Sequence, residues 1–159
     1  MKVLGIDPGY GRCGVAIVEK IAGKEVLLFS DCIVTTAADD FPDRLAAVAD
    51  ACGRLITQYA PDTVAMEKLY FQKNQKTAMR VAEVRGALLS MAAQAGIAVA
   101  EYTPGEVKSA AAGSGSADKT AVAKMLHALL TIDKHIAYDD EYDAIAIALT
   151  HLARTHEKR

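Results

Sequence analysis

The order of apolar patterns in this 159-residue chain predicts an α/β fold: a five-stranded mixed sheet, three strands antiparallel and the later ones parallel, with helices on both faces. Three observations carry that prediction. Three runs rich in Val, Ile and Leu open the chain, joined by connections so short that they must pair antiparallel. Two further apolar runs are each reached through a long helical pattern, which makes them parallel to one another. The remainder then reads as three helical stretches.

Residues 2–7, 13–20 and 25–35 are the first three strands, separated by the turns PGYG and AGK. From Pro42 to Tyr59 the spacing becomes helical. Leu45, Val48, Cys52, Leu55, Ile56 and Tyr59 mark one face, and Pro42 suits the first helical position. TVAME at 63–67 is the fourth strand. A helix follows from about Gln75 to Ala95, with Val81, Val84, Leu88 and Met91 as its apolar stripe and Gly96 as its end. IAVAE at 97–101 is the fifth strand. Helices near 104–112, 117–130 and 140–155 complete the chain, with Ser116 placed to cap the second of them. GSGS at 113–116 is too short for a domain linker, so residues 1–159 read as one domain.

Composition narrows the class. Hydrophobic residues make up 52% and charged residues 24%, as in a soluble globular protein. No apolar run approaches the ~20 residues of a membrane span, and Asp7 interrupts the first one too early for a secretory signal. Cys13, Cys32 and Cys52 are odd in number and contain no CxxC, which suits thiols in a reducing cytoplasm. The net charge of −2 hides a basic segment. Lys68, Lys73, Lys76, Arg80 and Arg85 stand against Glu83 alone, a stripe that either contacts phosphates or forms a solvated helix face.

Two phosphate-binding patterns match and are rejected. GYGRCG at 9–14 is a literal G-x-G-x-x-G, but VAIVEK follows it as a strand, whereas a dinucleotide site needs a helix there. Asp7 would also repel a pyrophosphate. GSGSADKT at 113–120 resembles a P-loop with Asp118 in place of the second glycine, where backbone must approach phosphate.

The acids form a more coherent set. Asp7 and Glu67 each end an apolar strand, so parallel neighbours would present both at one carboxyl edge, where open α/β sheets place their sites. Asp140 and Asp143 share a helix face with Ile147, which points them inward. Taken singly, each has an ordinary explanation as a turn, strand-end or cap residue. Taken together, four inward carboxylates with no matching His or Cys need a cation, and hard oxygen donors suit Mg²⁺ or Mn²⁺. Setting these four aside leaves 16 of the 20 acids against 18 bases, so the remaining surface is mildly positive. Glu101, which ends the fifth strand in the same manner, and Asp139 are ambiguous and are not counted.

In this order, GIDPG with Asp7, VAME with Glu67, KNQKTAMRVAEVRGA, YTPGEVK, GSGSADK and DEYDAIAIALTH resemble the RuvC family of Holliday junction resolvases, over about residues 2–153. GIDPG alone is also similar to the strand-turn of actin-like ATPases, which need two such domains and a longer chain. The resemblance implies an RNase H-like fold and a bacterial, cytoplasmic, homodimeric endonuclease of recombination and repair. Such an enzyme makes paired symmetric nicks in four-way DNA junctions and leaves 5′-phosphate and 3′-hydroxyl ends. By the same resemblance Asp7, Glu67, Asp140 and Asp143 are the catalytic acids and metal ligands. They would hold two Mg²⁺ ions per site, with Mn²⁺ able to substitute. Two such ions ~3.5–4 Å apart can clamp a phosphodiester, one activating water and the other stabilising the leaving oxygen. Lys108 and Lys119 match DNA-contacting lysines. Tyr70 falls where the family often has a phenylalanine near the junction centre, and its alternative is a packed tyrosine beside Phe71. The Gln75–Ala95 helix is implied in the dimer interface, and a branch-migration helicase complex as partner. Two rivals are an RNase H-like nuclease acting on another nucleic acid, such as an RNA–DNA hybrid, and a non-catalytic junction-binding protein.

Overall fold

The computed structural model describes residues 1–68, 75–113 and 115–156. Its elements run β1 (Lys2–Asp7), β2 (Arg12–Ile21), β3 (Lys24–Val34), α1 (Phe41–Tyr59), β4 (Thr63–Glu67), α2 (Gln75–Gln94), β5 (Ala98–Tyr102), α3 (Pro104–Ala112), α4 (Lys119–Leu129) and α5 (Asp139–His156). The sheet has the order β3-β2-β1-β4-β5. β1, β2 and β3 form an antiparallel meander, while β4 runs parallel to β1 and β5 parallel to β4, as predicted.

Local chemistry accounts for the punctuation. Ala22 and Gly23 both take positive φ, the two-residue hairpin geometry that matches strand twist. Thr103 and Glu106 close α3 with a reciprocal capping box, at 3.2 and 2.7 Å. Two expectations are corrected. The N-cap of α4 is Asp118, whose carboxylate accepts from Ala121 N at 2.8 Å, and not Ser116. The helix begins at Lys119, so only the residue directly before it reaches the open amides of the first turn. β5 also ends one residue later than expected, at Tyr102, and this moves Glu101 away from the strand end.

Side chains alternate across the sheet. Leu4 and Ile6 of β1 pack with Val64 and Met66 of β4 under α1 and α2. Val3 of β1 and Ala65 of β4 instead face α3, α4 and α5. Each wholly buried Val, Leu or Ile of these layers contributes about 1.5–3 kcal/mol by leaving water. The alternation then assigns the acids. Asp7 shares the side of Val3, and Glu67 the side of Ala65, so both belong to the α5 face.

On that face α5 lies unusually close to the strands. Ala16, Gly5, Ala65 and Ala100 pair in a row across four strands, giving a trough without large side chains. Ala144 and Ala148 of α5 rest in it, and a Cβ built on Gly5 would stand 2.2 Å from the Ala144 carbonyl oxygen. One step along, Gly14 pairs with Asp7, and a Cβ there would stand 1.7 Å from the Asp140 carbonyl oxygen. The glycines that resemble a nucleotide motif thus include the seat of α5. Among the described residues no helix is long and apolar enough to cross a membrane.

Gly14→Ala must therefore lift the first turn of α5. Overpacking of this kind costs about 1–3 kcal/mol, and displacing reacting groups by ~1 Å lowers rates by roughly 100-fold. The variant is expected to fold with a lowered Tm and to lose far more activity than stability, which thermal melts and single-turnover assays check together. Wild-type activity in Gly14→Ala would show that this contact does not place the acids.

Candidate active site

The carboxyl edge of the sheet gathers the predicted acids. Asp7 and Glu67 lie one step beyond the last β1–β4 pair, Ile6 with Met66, on neighbouring strands and on the same side. α5 starts above them, because Asp140 sits over Gly14, the cross-strand partner of Asp7. One helical turn on, Asp143 enters a cleft of about 240 Å³ lined also by Glu67, Lys108 and Lys119, with Val107, Val122, Ala146 and Ile147 as its apolar wall.

Electrostatics tie these groups together. Burial, followed by the negative charges of Asp143, Glu67 and Asp140, pushes the Asp7 carboxyl from its ordinary 3.8 up to about 8, against an opposing pull from Lys119. Burial also raises Glu67, reinforced by Asp143 and opposed by Lys108, Arg85 and Lys119. Asp143 is raised by burial too, with Lys119 opposing and Asp140 and Asp139 adding to the rise. The chain's own cations stand against the helix acids. Lys119 Nζ is 3.1 Å from Asp139 and 3.8 Å from Asp143. Arg12, stacked 5.3 Å over the Tyr138 ring, brings Nε within 3.1 Å of Asp140 Oδ2. That approach is off the line of a hydrogen bond, so this buried oxygen faces a charge yet has no donor among the described residues.

These residues fit a hard divalent cation. The four acids offer only carboxylate oxygen, and a cation at this edge would offset both the burial and the neighbouring negative charges that raise the Asp7 carboxyl. Among the described residues no three His, Cys, Asp or Glu are drawn in closely enough to enclose an ion. Mutually repelling carboxylates, two of them turned toward Lys119 and Arg12, have that spacing for a plain electrostatic reason.

The remaining sequence-predicted residues divide. Lys108 and Lys119 line the cleft beside the acids. Lys76 and Arg80 lie on α2, across the sheet from it. Arg80 stacks 4.0 Å over Phe41 and pairs with Glu83 at 3.1 Å. Tyr70 and Lys73 lie outside the described residues. Arg85, counted in the basic stripe, is buried. It pairs with Glu101 and donates to the backbone oxygen of Glu67, so it braces β4 against β5. Glu101 neighbours Met66 in the sheet and not Glu67, which puts it on the α2 side, away from the other acids. Asp139 is exposed and engaged with Lys119. Sequence reasoning missed Arg12, which directly follows the strand-one turn, and Glu141, which is buried in the first turn of α5.

The protein-family model of crossover junction endodeoxyribonuclease RuvC matches residues 3–151. A crossover junction endodeoxyribonuclease RuvC of Moorella thermoacetica is 46% identical over 151 residues, spanning 95% of this chain and 90% of the relative. The Trichlorobacter lovleyi protein of that name is 42% identical, spanning 96% and 85%. Among solved structures, T. thermophilus RuvC in complex with Holliday junction substrate superposes with a TM-score of 0.92 at 33% identity, covering 99% of this chain and 96% of that one.

The raised Asp7 carboxyl predicts a sign for stability against pH. The folded state holds a proton that the unfolded chain releases near pH 4, so in a chelator wild-type stability falls as pH rises from about 4 to about 8. Asp7→Asn removes that penalty and should melt above wild type at pH 8 in EDTA. Divalent ions at pH 8 should raise the wild-type Tm and shift the variant far less. An Asp7→Asn melt below wild type in EDTA would contradict the crowding of charge.

Proposed function

The chain belongs to the RuvC family of crossover junction endodeoxyribonucleases and has their RNase H-like fold, and on that premise we propose that it resolves four-way DNA junctions by hydrolysing phosphodiester bonds. The observation that supports this reading best is the meeting of Asp7, Glu67, Asp140 and Asp143 at one sheet edge, next to Lys108 and Lys119. A non-catalytic junction binder would have no use for a buried acid crowded by three others.

Each residue has a part in this proposal. Asp7, Glu67, Asp140 and Asp143 hold Mg²⁺, two ions per site, with Mn²⁺ able to replace it. Bound there, the ions supply an activated water and neutralise charge developing on the scissile phosphate. Lys108 and Lys119 draw the DNA backbone into the cleft without reading its sequence. Lys119 is 66% exposed on its side chain, and it can leave Asp139 for a phosphate at little cost. Lys73, Lys76 and Arg80 make further phosphate contacts, the last two from α2 and apart from the cleft, and Tyr70 stacks near the crossover.

Paired nicks call for two identical sites, and a two-fold dimer supplies them on opposing strands of a nearly two-fold junction. α2 suits such an interface. Met79 is 67% exposed, and the small residues Gly86, Ser90 and Ala93 lie exposed along the same helix, where a second backbone could approach closely. A branch-migration helicase complex is the proposed partner in the cell.

Purified protein with Mg²⁺ should cut a synthetic four-way junction in preference to linear duplex or RNA–DNA hybrid, and a chelator should stop it. Asp7→Asn, Glu67→Gln, Asp140→Asn and Asp143→Asn are each expected to lower cleavage by at least about 100-fold while junction binding persists. Glu101→Gln should still cut. Lys108→Ala and Lys119→Ala should weaken binding for every junction sequence and each reduce the salt slope by about 1. Equal cutting of linear duplex, or an acid variant that cuts at wild-type rate, would overturn the corresponding part of the proposal.

A further inference from the structure

The first turn of α5 carries Asp139, Asp140 and Glu141 in succession, and each faces a different cation. Asp139 has Lys119 and Asp140 has Arg12, and both cations are largely exposed, with side-chain accessibilities of 66% and 52%. Glu141 differs. The acid is 4% exposed, and its Oε1 takes Lys134 Nζ at 2.6 Å, from a side chain 44% exposed, and the hydroxyl of the buried Ser30 at 2.6 Å. Lys134 comes from the connection between α4 and α5, and it also donates to the backbone oxygen of Ser30. Ser30 is in β3, the edge strand, where it pairs with Ala16 of β2. Three separate segments therefore meet at one carboxylate oxygen.

Stability alone is a poor explanation for this arrangement. Burying the Glu141 carboxylate costs desolvation even when it is paired, and apolar residues of similar volume often serve stability as well or better. Direction is what the network adds. The trough under α5 is lined by small side chains, which permit a helix to approach but give little resistance to its turning or sliding. Residues one apart on a helix project about 100° from each other, so a tether at Glu141 on the β3 side fixes where its neighbours Asp140 and Asp143 project. We propose that Glu141, held by Lys134 and Ser30, is a positioning residue that sets the rotation of α5 and so the placement of Asp140 and Asp143. Lys119 and Arg12 are free to exchange onto DNA phosphates, whereas the Glu141 tether stays closed through the reaction. This inference rests on the proposed cleavage site.

The test compares wild type with Glu141→Gln, Lys134→Met, the double variant, and the triple variant Ser30→Ala/Lys134→Met/Glu141→Met. The measurements are single-turnover cleavage of a four-way junction in Mg²⁺, junction affinity in EDTA, Tm, and hydrogen exchange of the amides at 139–143. Each single variant should cut about 10–100-fold more slowly, the range for groups that orient ligands. Junction affinity should be unchanged, and first-turn amides should exchange faster. The double variant should cut no more slowly than the worse single, because the parts act as one unit. The triple variant should keep its Tm and still cut slowly. Wild-type cutting by the folded variants, unchanged exchange, a loss matched by lost junction affinity, or failure of even the triple variant to fold would each overturn the proposal. If wild type itself does not cut junctions, the functional reading fails, and the exchange measurement still decides the positioning role.

Discussion

Everything at the candidate site depends on how closely α5 lies against the sheet. Ala16, Gly5, Ala65 and Ala100 make a cross-strand row with almost no side-chain height, and Gly14 extends the depression next to Asp7. A helix on an ordinary sheet face stands off by the length of its packed side chains. Here the backbone oxygens of Asp140 and Ala144 occupy space that a single methyl at Gly14 or Gly5 would fill. Because the helix comes this near, carboxylates from its first turn meet carboxylates at the ends of two strands. Most of the buried apolar area stabilises the fold, while the absence of side chains in one row determines where its charges fall.

The electrostatic cost follows from that geometry. Asp7 is desolvated by the layers that bury Val3, Leu4 and Ile6 and is crowded by three further acids. The chain offsets part of the repulsion with its own cations, and these differ in permanence. Arg12 and Lys119 each meet a helix acid from the surface and can be competed for by phosphate, while Lys134, though 44% exposed on its side chain, is held by two buried groups, the Glu141 carboxylate and the backbone oxygen of Ser30. A site with exchangeable outer cations and a buried, doubly held carboxylate behind them can admit polyanionic DNA without losing the placement of its helix.

Much of this was legible in the sequence. Element boundaries could be placed within a residue or two because Gly23, Gly96 and the Pro-Gly after Asp7 punctuate the chain; Asp7 and Glu67 announced themselves as charges ending apolar runs, and Asp140 and Asp143 by their spacing on one helix face. What could not be read was sidedness. A run as uniformly apolar as IAVA shows no polar alternation, so nothing in IAVAE revealed that Glu101 pairs beside Met66 and points to the α2 face. The role of Gly14 was hidden for a related reason, since its partner is a backbone oxygen more than a hundred positions away. Glu141 and Ser30 lie 111 residues apart, and Ser30 and Lys134 104. Such contacts have no local pattern.

The central claim is that four carboxylates from β1, β4 and α5 act as one cation-holding group. Anomalous diffraction from crystals of the protein grown with Mn²⁺ and an uncleavable four-way junction tests it most directly. The account predicts manganese peaks within coordinating distance of Asp7, shared with Glu67 on one side and with Asp140 or Asp143 on the other. Peaks confined to Asp139, to Glu101 or to the surface, with Asp7 bare, would contradict it.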